Sequence, residues 1–167
     1  PIESTLVRVI AAKTVVALGD DSEIEVVRAS AYSSYTEVRV IAIMALGDLE
    51  DRVMQPALEQ MLRRAMPDQA PEINLAAAYG IARMGSDVGL GTMLKYAGMQ
   101  TLEFDQRKYS AAPLRAQAAV GLKWLDDPRA ANMLGQLLND PSPQVRIAAA
   151  DAIIAGHHRM DKDINLP

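Results

Sequence analysis

Apolar residues recur along this chain at positions 0, +4 and +8 of a stretch that occurs five times, opening at Val7, Val38, Ile73, Leu114 and Val145. The fifth copy, Val145-Arg146-Ile147-Ala148-Ala149-Ala150-Asp151-Ala152-Ile153, sets the register. Every copy has alanine at +4, namely Ala11, Ala42, Ala77, Ala118 and Ala149, and Val, Leu or Ile at +8. Three-and-four spacing is helical, and recurrence after 31, 35, 41 and 31 residues leaves room each time for two helices and two turns. The pattern predicts repeated helices over about 4–18, 36–49, 71–84, 113–125 and 143–155.

Between them lie simpler amphipathic segments, marked by Ile24, Val27 and Ala31; by Val53, Ala57, Leu58, Met61, Leu62 and Ala65; by Val88, Met93, Leu94 and Ala97; and by Ala130, Leu134, Leu137 and Leu138. Pro71, Pro113 and Pro143 fall where a first helical turn tolerates a missing N–H, and Gly19, Gly85 and Gly156 are placed to close three of the repeated helices. Asp127 before Pro128 is an N-cap followed by a first-turn proline. The 41-residue spacing carries an extra connection, 99–112, read as a long loop with Phe104, Arg107 and Tyr109 as candidate contacts.

On a helical wheel, positions 0, +4, +7, +8 and +11 form one apolar sector and +2, +5 and +9 a second, so each repeated helix should be sandwiched. Alanine at +4 lets backbones approach. The remaining sector, +3, +6 and +10, is where the copies stop agreeing: Lys13, Met44, Tyr79, Val120 and Asp151 stand at +6, and Ala17, Asp48, Arg83, Trp124 and Ala155 at +10. Side by side in a solenoid this sector would make a concave strip. Met44, Asp48, Tyr79, Arg83, Lys123 and Trp124 are its candidate partner-binding residues, since aromatic residues and arginine dominate interface hot spots. The alternative is that Trp124 and Tyr79 cover the adjoining helices.

Asp140-Pro141-Ser142-Pro143-Gln144-Val145-Arg146 and on to Ile153, with Val38-Arg39 to Gly47 and Asp127-Pro128-Arg129-Ala130, resembles HEAT repeats, in particular the short HEAT-like type seen in phycobilisome lyases. The resemblance implies an all-α, right-handed α-α superhelix of about four and a half helix pairs over 1–167, a piece of a longer array. It also implies a ladder of aspartate and arginine, complete here only at Asp140 and Arg146. Asn74 replaces arginine in the third copy, and Arg39 and Arg115 have no preceding aspartate at the matching place.

Composition narrows the function. A balance of 50% hydrophobic and 23% charged residues is that of a folding domain, and the absence of cysteine removes disulfides and thiolate ligands. A net charge of −4 disfavours nucleic acid and anionic membranes as partners. No apolar run reaches the length of a membrane span.

The two histidines, His157 and His158, are adjacent and point about 100° apart, so they do not make an i, i+4 metal pair. HEAT-like hydroxylases of the deoxyhypusine type use repeated His-Glu pairs for iron, and this sequence has none. Asp20-Asp21 and Asp126-Asp127 read as caps, and Asp161-Lys162-Asp163 lacks the glycine and distal glutamate of a calcium loop. Gly85, Gly89 and Gly91 follow no strand, whereas a phosphate-binding fingerprint requires one before it.

The expectation is a non-catalytic scaffold, with no cofactor and no metal, that binds a protein or peptide on the concave face. A bilin-lyase-like or lyase-chaperone subunit is the alternative, and a HEAT-like glycosylase-type nucleic-acid binder the third. The first repeated helix lacks a preceding partner helix and the last lacks a following one, unless the tail Arg159 to Pro167 partly covers it, so either end-to-end self-association or a missing flanking segment is expected. Compartment is left open.

Overall fold

The computed structural model describes the backbone of residues 2–64, 70–104 and 107–164, and the side chains of 2–64, 70–103 and 108–156. The described chain is mostly helical. Nine α-helices follow one another among these residues: α1 (Ile2–Ala17), α2 (Ile24–Ser30), α3 (Thr36–Asp48), α4 (Gln55–Arg63), α5 (Pro71–Arg83), α6 (Leu90–Ala97), α7 (Ala112–Leu122), α8 (Pro128–Leu137) and α9 (Pro143–Ile164). The repeated helices are α1, α3, α5, α7 and α9, and the other four are their partners. Among the described residues no helix is long and apolar enough to cross a membrane.

Local chemistry sets most boundaries. Proline occupies the first turn of α4, α5, α7 and α8. Asp127 caps α8, its carboxylate accepting from the Arg129 N–H at 2.8 Å, and Asp20 caps a short 3-10 turn before α2 by accepting from the Ser22 N–H at 3.0 Å. Gly19 and Gly85 close α1 and α5 with φ of 95° and 86°, as expected of them. Gly156 does not close α9, which runs on to Ile164. A glycine without a left-handed φ is merely a weak helix residue.

The chain forms two compact units, residues 1–89 and 90–167. In the first, α3 packs between α1 and α5, with α2 against α1 and α3, and α4 against α5. Its core gathers Val9, Val27, Val38, Ile43, Leu46, Leu58, Ile73 and Ile81, which bring together both apolar sectors of the repeated helices and the inner faces of α2 and α4. Val53 is exposed in the turn before α4 and takes no part in that face. Ala65, expected at the end of the same segment, lies outside the described residues.

In the second unit α7 packs on α9, α6 on α7 and α8 on both α7 and α9. Four of the five alanines at +4 behave as close-contact positions, Ala42, Ala77, Ala118 and Ala149 being fully buried, whereas Ala11 on α1 is exposed because no further repeated helix packs on that side of it.

The expected loop 99–112 is instead built around an antiparallel hairpin, β1 (Thr101–Phe104) and β2 (Arg107–Ser110), in the register Leu102↔Tyr109 and Glu103↔Lys108. Thr101, Phe104 and Tyr109 favour strand, and Glu103 faces Lys108 at 3.4 Å. The Ala111 N–H donates to the Gln100 carbonyl at 3.1 Å and closes its base.

Candidate functional site

The variable sector of the first unit converges on Asp48, at the end of α3. One carboxylate oxygen accepts from Lys13 Nζ on α1 and the other from the Tyr79 hydroxyl on α5. Arg83, one turn beyond Tyr79, donates from Nη2 to the Asp48 carbonyl at 3.1 Å and stands 3.8 Å from both Asp48 Oδ1 and Glu50. Three successive repeated helices are thus tied through one carboxylate. Periodicity explains this, because +6 of one copy and +10 of the next point to the same side.

The sector is less open than the sequence suggests. Tyr79 is only 7% exposed, so it lies in the packed layer and does not stand in solvent. Burial, together with the bond to Asp48, pushes its hydroxyl well above the ordinary tyrosine value, and the ring holds its proton. Arg83 is largely covered as well, and Met44 is half-buried against the core. Lys13 and Asp48 retain about a third of their side-chain exposure, 36% and 31%. Lys13 belongs to the cluster although it was not among the candidate binding residues; its place at +6 of the first copy was the available signal.

The candidates of the second unit make a separate group. Lys123, the C-cap of α7, reaches Asp151 on α9 at 3.6 Å, and its Nζ lies 5.4 Å from the centre of the Trp124 ring, which is half-buried. Tyr109 is exposed on β2. Phe104 and Arg107 pair through their backbones at the hairpin tip, and their side chains lie outside the described residues, as do those of His157, His158, Asp161, Lys162 and Asp163.

Arg115 on α7 corrects the expected ladder. Its Nε and Nη2 donate to the two oxygens of Asp140 at 2.7 and 2.9 Å, with both side chains 3% exposed, and its Nη1 donates to the carbonyls of Met99 and Gln100. Arg146, the expected partner of Asp140, donates instead to the backbone carbonyls of Asp140 and Pro141 at 2.9 and 3.2 Å. The turn between α8 and α9 aims Asp140 back at the preceding repeated helix. The pair therefore joins one repeat to the next. Arg28 and Asp51 make a similar two-pronged pair in the first unit, at 2.7 and 2.8 Å, which the sequence pattern did not reveal.

The stretch 131–155, from α8 through the turn of Asp140 into α9, matches the family model of the HEAT repeat. This helix pair is a HEAT repeat. No curated protein matches the chain. The HEAT repeat supplies the acidic half of the Arg115–Asp140 pair, with the Arg115 guanidinium holding the Asp140 carboxyl below the usual carboxylate range despite its burial. Among the described residues no group of three or more His, Asp or Glu side chains is arranged to hold a metal ion.

Proposed function

We propose that the chain is a non-catalytic protein-binding scaffold, and that the first unit presents its variable sector, centred on Lys13, Met44 and Asp48, to a polypeptide partner. The observation that carries this reading is the alignment of Lys13, Asp48, Tyr79 and Arg83 from three successive repeated helices, at positions where the copies diverge most in residue type. Aligned HEAT-type helices commonly serve as binding surfaces because neighbouring repeats add side chains along one continuous face. The buried members, Tyr79 and Arg83, hold the exposed ones in place and so lower the entropy lost when a partner binds.

A photo-reactive residue placed at Lys13 or Met44 is expected to crosslink the partner, while one placed at Arg63, exposed on α4, is not. Crosslinks confined to Arg63 would assign binding to the partner helices and sink the reading. The short-HEAT, lyase-like role is carried only by the resemblance of Val38 to Gly47, Asp127 to Ala130 and Asp140 to Ile153; a change in visible absorbance on mixing with a bilin tests it.

A further inference from the structure

The variable sector of the repeated helices includes one more position, because −1 falls in the same direction on a helical wheel as +3, +6 and +10. On α3 these four positions are Glu37, Ile41, Met44 and Asp48, a stripe at spacings of four, three and four residues along a helix that α1 and α5 cover on both flanks. The middle of the stripe is apolar. Ile41 and Met44 are half-buried against the core and leave part of their surface open. Methionine is unbranched and adapts to whatever side chain is laid on it.

The two ends of the stripe differ in charge. At the C-terminal end Asp48 is matched within the chain by Lys13 and Arg83, the two cations of the sector in this unit. At the N-terminal end Glu37 is exposed and makes no ion pair among the described residues. The arginine nearest to it in sequence, Arg39, lies about 200° further round the helix. A first-turn glutamate favours the helix end, a role that leaves its carboxylate open to solvent. Just ahead of Glu37 the turn between α2 and α3 exposes Tyr32 and Tyr35 by 60% and 51%, and the Ser33 hydroxyl fixes that turn by accepting from the Tyr35 N–H at 3.2 Å. Aromatic faces and a carboxylate attract the same kind of group, a cation.

We propose that the polypeptide bound by the variable sector carries a basic residue, received by Glu37 and the turn of Tyr32 and Tyr35, next to an apolar residue that rests on Ile41 and Met44. The inference rests on the scaffold reading and names the chemistry of its partner. Glu37 and Ile41 are four helical residues apart, about 6 Å along the axis. An extended peptide covers that in about two residues, so the basic and apolar side chains of the partner lie about that far apart.

A library of random peptides displayed on phage and selected against the whole chain tests it. The selected peptides are expected to place lysine or arginine about two residues from a large apolar residue. For such a peptide Glu37→Lys is expected to lower affinity about tenfold or more, since attraction becomes repulsion. Asp87→Asn, at an exposed carboxylate of the turn between α5 and α6, is expected to leave affinity unchanged, and circular dichroism checks that both variants keep their helicity. Raising the ionic strength to about 1 M, where charges are screened beyond about 3 Å, should weaken binding to the wild type more than to Glu37→Gln. Selected peptides that are acidic or uncharged, or a Glu37→Lys variant that binds as the wild type does, overturn the proposal. The two readings fail separately. Peptides that crosslink at Met44 but carry no basic residue leave the scaffold standing and remove the basic partner, whereas selection of no peptide, or of peptides that crosslink at neither Lys13 nor Met44, removes both.

Discussion

Gly47 on α3 and Gly80 on α5 meet backbone to backbone, so close that a methyl added to Gly47 would fall 2.6 Å from Gly80 Cα. Helices this close pack through main-chain atoms, and no side chain is available to swing aside. Gly47→Ala should therefore lower stability by about 1–3 kcal/mol through overpacking. Gly135 on α8 meets nothing within 4 Å, so Gly135→Ala should raise stability by about 0.5–1 kcal/mol through helix propensity. Urea titration of both variants checks the pair, and equal effects would mean that the close approach does not hold α3 to α5.

Ala118, fully buried on α7, is the same kind of contact in the second unit. Ala118→Leu should cost about 1–3 kcal/mol. An unchanged melting temperature would contradict close packing at the +4 position.

The Arg115–Asp140 pair is buried on both sides, so removing one member strands the other. Arg115→Met is expected to destabilise by about 3–5 kcal/mol. The Asp140 carboxyl titrates lower in the folded chain than in the unfolded one, chiefly through its bonds from Arg115. Its contribution is thus present above the ordinary aspartate range and lost as pH falls through the lowered value. Acid unfolding of the wild type should accordingly be steeper than that of Asp140→Asn, and the stability gap between them should narrow as pH falls. Parallel curves would show that the pair does not set the acid limb.

Tyr79 gives the opposite pH dependence. Its hydroxyl is raised above the ordinary value by burial first and by Asp48 second, so its stabilisation is complete below about pH 10 and is lost as pH rises toward the folded value. Tyr79→Phe should cost about 1.5–3 kcal/mol at neutral pH, the range for a bond to a charged acceptor. It should also blunt alkaline unfolding. Denaturant melts at neutral pH and above pH 10 measure both.

The hairpin is tied at its base by Ala111 and Gln100, and Arg115 holds the Gln100 carbonyl from below at 3.3 Å. Excising 101–110 and joining these ends through a short glycine linker should leave the packing of α6 on α7 intact, with melting shifted by only a few degrees, about what a 1 kcal/mol change produces. Loss of partner binding in that otherwise folded variant would move the binding surface to Tyr109 and its neighbours.

Much of the fold was legible because its signals are local. The hairpin was the exception, although Thr101 to Phe104 and Arg107 to Ser110 carry strand-favouring residues and opposite charges at Glu103 and Lys108. Two four-residue runs give too short an alternation to outweigh a reading dominated by helical period. In the candidate site, periodicity placed Asp48, Tyr79 and Arg83 on one side but said nothing of depth. Tyr79 is buried because α3 and α5 approach closely enough for its hydroxyl to meet Asp48, and that closeness depends on glycines in different copies.

By itself the sequence determined where the repeated helices lie, which of their flanks are apolar, and that alanine at +4 is a contact position in four of the five copies, since helical period, first-turn prolines and caps act within a few residues. Tertiary structure alone decided that Arg115 takes Asp140 from Arg146 and that Lys13 joins Asp48. Those outcomes depend on distances between residues some 25 to 35 positions apart, which the order of residues along a chain does not encode locally.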